Sequence, residues 1–370
     1  MNRIKPLLFC LFLLLSPAAP APALDAPKTD KKDDAKKETP VETSHTVTVG
    51  GATIEYTATA GSLPLKDDDG KVTANVFFVA YTRNGVDDLA RRPLTFAFNG
   101  GPGSSSVWLH LGAFGPKRVA LEGEGDAPRP PYRLVDNEDT LLDLTDLVFI
   151  DPVSTGYSRS PDPKQEKEFH GVQEDVRSVG DFIRLYTTRY NRWGSPKLLA
   201  GESYGTTRAA GLSGYLQERH GIYLNGIVLV SAVLNFETLS FADGNDLPYP
   251  LFLPTYTATA WYHKKLSADL QGDLKKTLAE SEKFAQGEYT LALQKGDGLS
   301  DDERKEVAHK LARLTGLSDE FVSRSNLRID SSQFRKELLR GADRVAGRYD
   351  SRITGPDQDP GSGRPGYDPS

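Results

Sequence analysis

The sequence predicts an α/β protein: a central, mostly parallel sheet with antiparallel strands on its amino-terminal side and a helical insertion towards the carboxyl end. Apolar runs of strand length at 94–98, 147–150, 197–200 and 226–230 alternate with stretches of helical character at 166–190 and 207–216, and such alternation implies parallel strands. Ahead of them, runs at 45–49, 52–60 and 72–81 are divided by Gly50-Gly51 and by Asp67-Asp68-Asp69-Gly70, the pattern of an antiparallel meander. Behind them, Leu266, Leu270, Leu274 and Leu278 recur every four residues, followed by Val307, Leu311 and Leu314 and then Phe334 and Leu338. This predicts amphipathic helices without strands.

The chain has 370 residues, 38% of them hydrophobic, and a net charge of -6. It can bury one large core or two modest ones, and it lacks the basic stripe that a nucleic-acid partner requires. Arg3 and Lys5 precede the apolar run 7–15, and Ala21-Pro22-Ala23 offers a cleavage site. That is the pattern of a signal peptide over 1–23, too short to span a bilayer, and it predicts export with no membrane association beyond the leader. Cys10, the only cysteine, lies inside the leader, and no Asn-x-Ser/Thr acceptor occurs. A mature chain without disulfides or glycosylation sites suits a bacterial periplasmic or secreted protein. Residues 24–44 hold five lysines and six acids with almost nothing apolar, so a disordered tether is expected there. The expected divisions are then a core over 45–235, a helical cap over 236–354 and a Gly/Pro-rich loop over 355–370.

Three stretches carry the chemistry. The apolar run at 94–98 ends in Asn99-Gly100-Gly101-Pro102-Gly103-Ser104-Ser105-Ser106. Glycines there let backbone N–H groups approach a ligand closely, as stabilising an oxyanion demands, and no lysine stands in the register of a nucleotide-binding loop. The run 147–150 leads into Asp151-Pro152-Val153-Ser154-Thr155-Gly156-Tyr157-Ser158. The run 197–200 closes on Gly201-Glu202-Ser203-Tyr204-Gly205, a strand–turn–helix signature that exposes a serine hydroxyl at the carboxyl edge of a sheet. Ser203 is the candidate nucleophile.

Together these stretches resemble the serine carboxypeptidase family, whose members have the α/β-hydrolase fold; the likeness runs from about Thr73 to the end of the chain. The resemblance implies a peptide substrate with a free C-terminus and no cofactor. It also implies Ser203 as nucleophile, Gly101 and Tyr204 as the oxyanion hole, and Asn99, Gly100 and Glu202 as the clamp on the substrate carboxylate. Many relatives place an acid before the Leu-Gly step where this chain has His110-Leu111-Gly112. Pairing Glu202 with His110 would favour the ionised carboxylate, which predicts an optimum nearer neutral than is usual for the family.

The triad base is the larger departure. His220, His263 and His309 follow Ser203, but none follows a strand as the fold's template requires, and Asp243 and Asp246 are weak candidates for the acid in a loop. The sequence therefore reads as a carboxyl-terminally incomplete family member, with its last strands missing and a parallel sheet edge uncovered. Two other readings are open, a serine-dependent acyltransferase or esterase and a non-catalytic peptide-binding remnant. The six histidines show no paired spacing for a metal site.

Overall fold

Gly50 and Gly51 both sit at positive φ, 56° and 83°, which gives a two-residue turn whose twist matches an antiparallel pair. They join β1 (Val41–Val49) to β2 (Ala52–Lys66). The computed structural model describes residues 39–123 and 128–370. The leader expected over 1–23, Cys10, and 24–38 of the expected tether lie outside the described residues. The rest of that tether needs correcting: Val41 to Ser44 already pair with Ala60 to Thr57 in β1. These residues are exposed, so the ladder's backbone hydrogen bonds hold them where side-chain burial does not.

A second reversal at Asp67 to Gly70 leads to β3 (Val72–Arg83), antiparallel to β2. The apolar strands follow as β4 (Leu94–Phe98), β5 (Asp146–Ile150), β6 (Lys197–Glu202) and β7 (Gly226–Val230). The sheet order is β1-β2-β3-β5-β4-β6-β7, and β5, β4, β6 and β7 run parallel. The antiparallel meander, the parallel strands and the mostly apolar central runs agree with expectation. Edge strand β7 leaves Ile227, Val228 and Leu229 exposed.

Side chains alternate across the sheet with the period of two that the pleat imposes. Phe96, Phe98, Val148 and Ile150 face one core, and Ala97, Leu147 and Phe149 face another. The first core is covered by α1 (Val172–Arg189) and α2 (Tyr204–His220) through Val176, Val179, Phe182 and Ile183 and through Ala209, Leu212 and Leu216. The single helix expected over 166–190 is divided. A short turn at Glu166–Phe169 stops at His170, and Gly171 is extended at φ -73°, ψ 152° before α1 begins.

The helical region has its own core, built on α3 (Pro248–Tyr262), α4 (Leu274–Phe284), α5 (Asp301–Thr315) and α6 (Ser331–Glu337). α3 is absent from the sequence expectation because its apolar residues surround the helix and leave no 3.6-residue stripe. The run from Leu266 to Leu278 is broken at Gly272, and Asp273 caps α4 by accepting from the Lys276 N–H. The expectation of no strands is also corrected, since Arg344–Ala346 pairs antiparallel with Thr354–Pro356. The tail 355–370 is held by side chains: buried Lys336 pairs with Asp357, and Arg340 Nη1 donates to the Pro360 carbonyl at 2.7 Å. No helix among the described residues is long and apolar enough to cross a membrane.

Candidate active site

The parallel register of β4 and β6 pairs Phe98 with Gly201, so the segments leaving both strands emerge side by side at the carboxyl edge. Ser203 occupies the turn into α2 at φ 55°, ψ -124°, a strained conformation for a residue with a Cβ. Close packing explains its flanking glycines. A Cβ on Gly201 would lie 2.2 Å from the Gly205 carbonyl oxygen, and one on Gly205 would lie 2.8 Å from that of Phe98. The Ser203 N–H donates to the Val230 carbonyl at 2.9 Å, which ties the turn to β7. Thr206 Oγ1 donates to the Ser203 carbonyl at 2.7 Å and accepts from the Val233 N–H at 2.8 Å.

The glycine-rich loop lies directly on this turn. The space where Gly100 would carry a Cβ is 2.5 Å from Tyr204 N and 2.7 Å from Gly205 N, and Gly101 stands at φ 106°. Tyr204 is the first residue of α2, so its N–H has no carbonyl one turn earlier in the helix and points out of its positive end. Asn99 is fully buried. Its Nδ2 donates to Glu202 Oε2 at 3.0 Å, its Oδ1 accepts from the Leu109 N–H at 3.0 Å, and one Nδ2 hydrogen stays available. Asn99, Gly100, Glu202 and Tyr204 therefore share one site with Ser203.

The loop after β5 reaches the same edge. Asp151 Oδ1 accepts from the Ser106 N–H at 2.9 Å, and burial pushes the Asp151 carboxyl above its ordinary range. Ser158 Oγ donates to the Asp151 carbonyl at 2.5 Å and accepts from the Phe77 N–H at 2.8 Å. A cavity of about 300 Å³ opens beside the turn, lined in part by Gly103, Ser154, His170, Tyr204 and Arg208.

Two residues absent from the sequence reading support the site from below. Arg208 is buried; its Nε donates to Asp175 Oδ2 at 2.8 Å and its Nη1 to the Asn99 carbonyl at 2.7 Å. Asp175 also accepts from the Tyr204 hydroxyl at 3.0 Å. The signal was available: Tyr204, Arg208, Leu212 and Leu216 recur every four residues, which places a charge on the apolar face of α2. His170, whose Nε2 lies 3.2 Å from Ser154 Oγ, precedes Ser203 in the chain, against the order in which the fold's template places its base.

The expected pairing of Glu202 with His110 is corrected. The Glu202 carboxylate takes the Asn99 amide instead, and His110 Nε2 is 2.6 Å from the Tyr81 hydroxyl with its ring stacked on Phe149. The neutral-optimum expectation that rested on that pair falls with it. Burial lowers the His110 imidazole to about 4, against about 6.5 for a free histidine. The neutral form is favoured in the fold, so its contribution is fully present above the unfolded value. It is lost as pH falls from about 6.5 towards 4, because only the unfolded chain takes up the proton there. The loss reaches about 3 kcal/mol at 1.36 kcal/mol per unit. Urea unfolding of the wild type should weaken from pH 7 to pH 5 through this group, and His110→Gln should flatten that slope; an equal slope in both proteins would contradict the assignment.

Each of the six histidines has a partner other than Ser203. His45 meets Thr43, His110 Tyr81, His170 Ser154, His220 Asp181, His263 the Ser351 carbonyl and His309 Asp319. Asp246 accepts two bonds from Arg328 at 2.6 Å, and Asp243 is exposed.

The model of the serine carboxypeptidase family matches residues 53–340. Pheromone-processing carboxypeptidase KEX1 of Saccharomyces cerevisiae (strain JAY291) is 33% identical over 156 residues, which cover 39% of this chain and 20% of that protein. Serine carboxypeptidase-like 36 of Arabidopsis thaliana is 32% identical over 152 residues, covering 39% and 29%. The crystal structure of the yeast prohormone-processing carboxypeptidase Kex1(delta)p aligns with 70% of this chain and 53% of that one, at 21% identity and a TM-score of 0.43. The aligned segments thus span less than a third of the curated relatives. The matched family model covers most of the chain: this protein belongs to the serine carboxypeptidase family.

Proposed function

We propose that Ser203 is the nucleophile of a carboxypeptidase that cleaves the last peptide bond of peptides with a free C-terminus, in an exported, periplasmic or secreted protein. The observation that carries this is the strained Ser203 turn with the Gly100 backbone packed against Tyr204 N and Gly205 N. In this reading Ser203 Oγ bonds to the carbonyl carbon as its hydroxyl proton leaves to a base, and the N–H groups of Gly101 and Tyr204 receive the oxyanion formed from the carbonyl. Collapse of that intermediate breaks the C–N bond and releases the last residue, its amine taking up a proton. The free hydrogen of Asn99 Nδ2, the Gly100 N–H and Glu202 grip the terminal carboxylate. Glu202 can donate to that carboxylate only in its protonated form.

The partners of the six histidines favour a second reading, in which the same clamp holds peptides without turnover. A serine without a positioned imidazole keeps on the order of 10³–10⁴-fold catalysis over water. The test combines fluorophosphonate labelling with hydrolysis of an N-blocked dipeptide, carboxyl-free or amidated. The hydrolase reading expects labelling that Ser203→Ala abolishes and cleavage of the free-acid peptide alone. Saturable peptide binding with no labelling would establish the second reading, and labelling unchanged in Ser203→Ala would remove Ser203 from both.

A further inference from the structure

A cavity of about 1180 Å³ lies away from Ser203 against α1, the later turns of α2 and the end of β2. Tyr215, Arg219 and His220, which line it, come from the last turns of the 17-residue α2, at the opposite end from the nucleophile. That helix is about 25 Å long at 1.5 Å per residue. Arg177, Arg184 and Arg189 of α1 and Arg219 of α2 also line the cleft, with Lys66 at its rim.

None of these four guanidinium groups has a hydrogen-bond or ion-pair partner among the described residues, whereas Arg92, Arg192, Arg208, Arg313 and Arg328 each carry a carboxylate. The acids in the cleft leave the arginines unmatched. Asp181 Oδ1 already accepts from the Tyr215 hydroxyl at 3.1 Å and from His220 Nε2 at 2.9 Å. Asp67 takes the Lys71 N–H at 2.8 Å, and with Asp68 it stands on the exposed β2–β3 turn. Arg184 is half-buried, and a partly desolvated guanidinium with five donors and no acceptor is costly unless a ligand supplies one.

We propose that this cleft binds an elongated, soluble polyanion bearing several phosphate groups. The planar fork of arginine matches phosphate oxygens in pairs. Arg177 to Arg189 spans twelve residues of α1, roughly 18 Å along the axis, which suits successive phosphates better than one isolated ion. The cleft is concave, a shape that a bilayer surface does not fill. The site stands apart from the serine chemistry and does not depend on it.

Calorimetric titration of the whole chain with inorganic tripolyphosphate tests the proposal, with orthophosphate and vesicles containing anionic phospholipid as parallel arms. Tripolyphosphate is expected to bind saturably and more tightly than orthophosphate, with affinity falling as salt rises. The double variant Arg184→Gln/Arg219→Gln should bind at least about tenfold more weakly, the effect of losing charged hydrogen bonds. Its thermal melt should not fall and its labelling at Ser203 should stay unchanged, since neither guanidinium bonds to another side chain among the described residues. Absence of saturable binding, equal binding by the double variant, or binding to vesicles with none to tripolyphosphate would each overturn the proposal.

Discussion

Arg208→Ala is expected to destabilise the protein by about 3–5 kcal/mol, the usual result of removing one partner of a buried ion pair. Its guanidinium sits between Asp175 and the Asn99 carbonyl and lies 5.2 Å and 5.1 Å from the ring centroids of Phe98 and Tyr204. Alanine would leave the Asp175 charge buried with only the Tyr204 hydroxyl as donor and would remove the cation from two aromatic faces. The urea midpoint should fall with an unchanged slope, the mark of lost stability rather than altered compactness. Because Arg208 also holds the strand end that presents Asn99, fluorophosphonate labelling of the surviving folded protein should slow. Arg208→Lys should recover only part of either property, since an ammonium cannot form the two-pronged contact. Asp175→Asn combined with Arg208→Met should cost less than the sum of the single changes. A full-strength midpoint in Arg208→Ala would show that the pair contributes nothing.

Gly100→Ala is expected to reduce labelling of Ser203 by about 10²–10³-fold, the effect of displacing the neighbouring Gly101 oxyanion donor together with the loop. The new methyl would stand 2.5 Å from Tyr204 N, 2.6 Å from the Glu202 carbonyl oxygen and 2.7 Å from Gly205 N. All three are backbone atoms, so no rotamer change relieves the overlap, and the loop must lift away from the turn. Gly112→Ala is the control, because a Cβ there meets nothing within 4 Å, and it should label at the wild-type rate. Melting both variants separates a displaced loop from general unfolding. Normal labelling in a stable Gly100→Ala protein would show that the loop donors play no part.

Much of this architecture was legible before any coordinates, for reasons particular to its residues. Gly50-Gly51 specifies a tight turn, and the runs at 94–98 and 226–230 coincide with β4 and β7. Buried parallel strands and two-residue turns write their requirements into neighbouring positions, where a sequence can be read. The helical region was legible only in part. α5 shows its stripe at Val307, Leu311 and Leu314, whereas α3 has no polar face to set its period.

The sequence by itself determined the strand–turn–helix around Ser203, the glycine-rich loop and the parallel direction of the strands that follow one another through helices. Each depends on backbone geometry that only certain neighbouring residues permit. Tertiary structure alone decided which side chains meet. Glu202 faces Asn99 rather than His110, Arg208 reaches Asp175 across 33 positions, and four arginines from two helices converge on one cleft. Pairings of this kind depend on how helices and strands pack in three dimensions, and no local spacing encodes that.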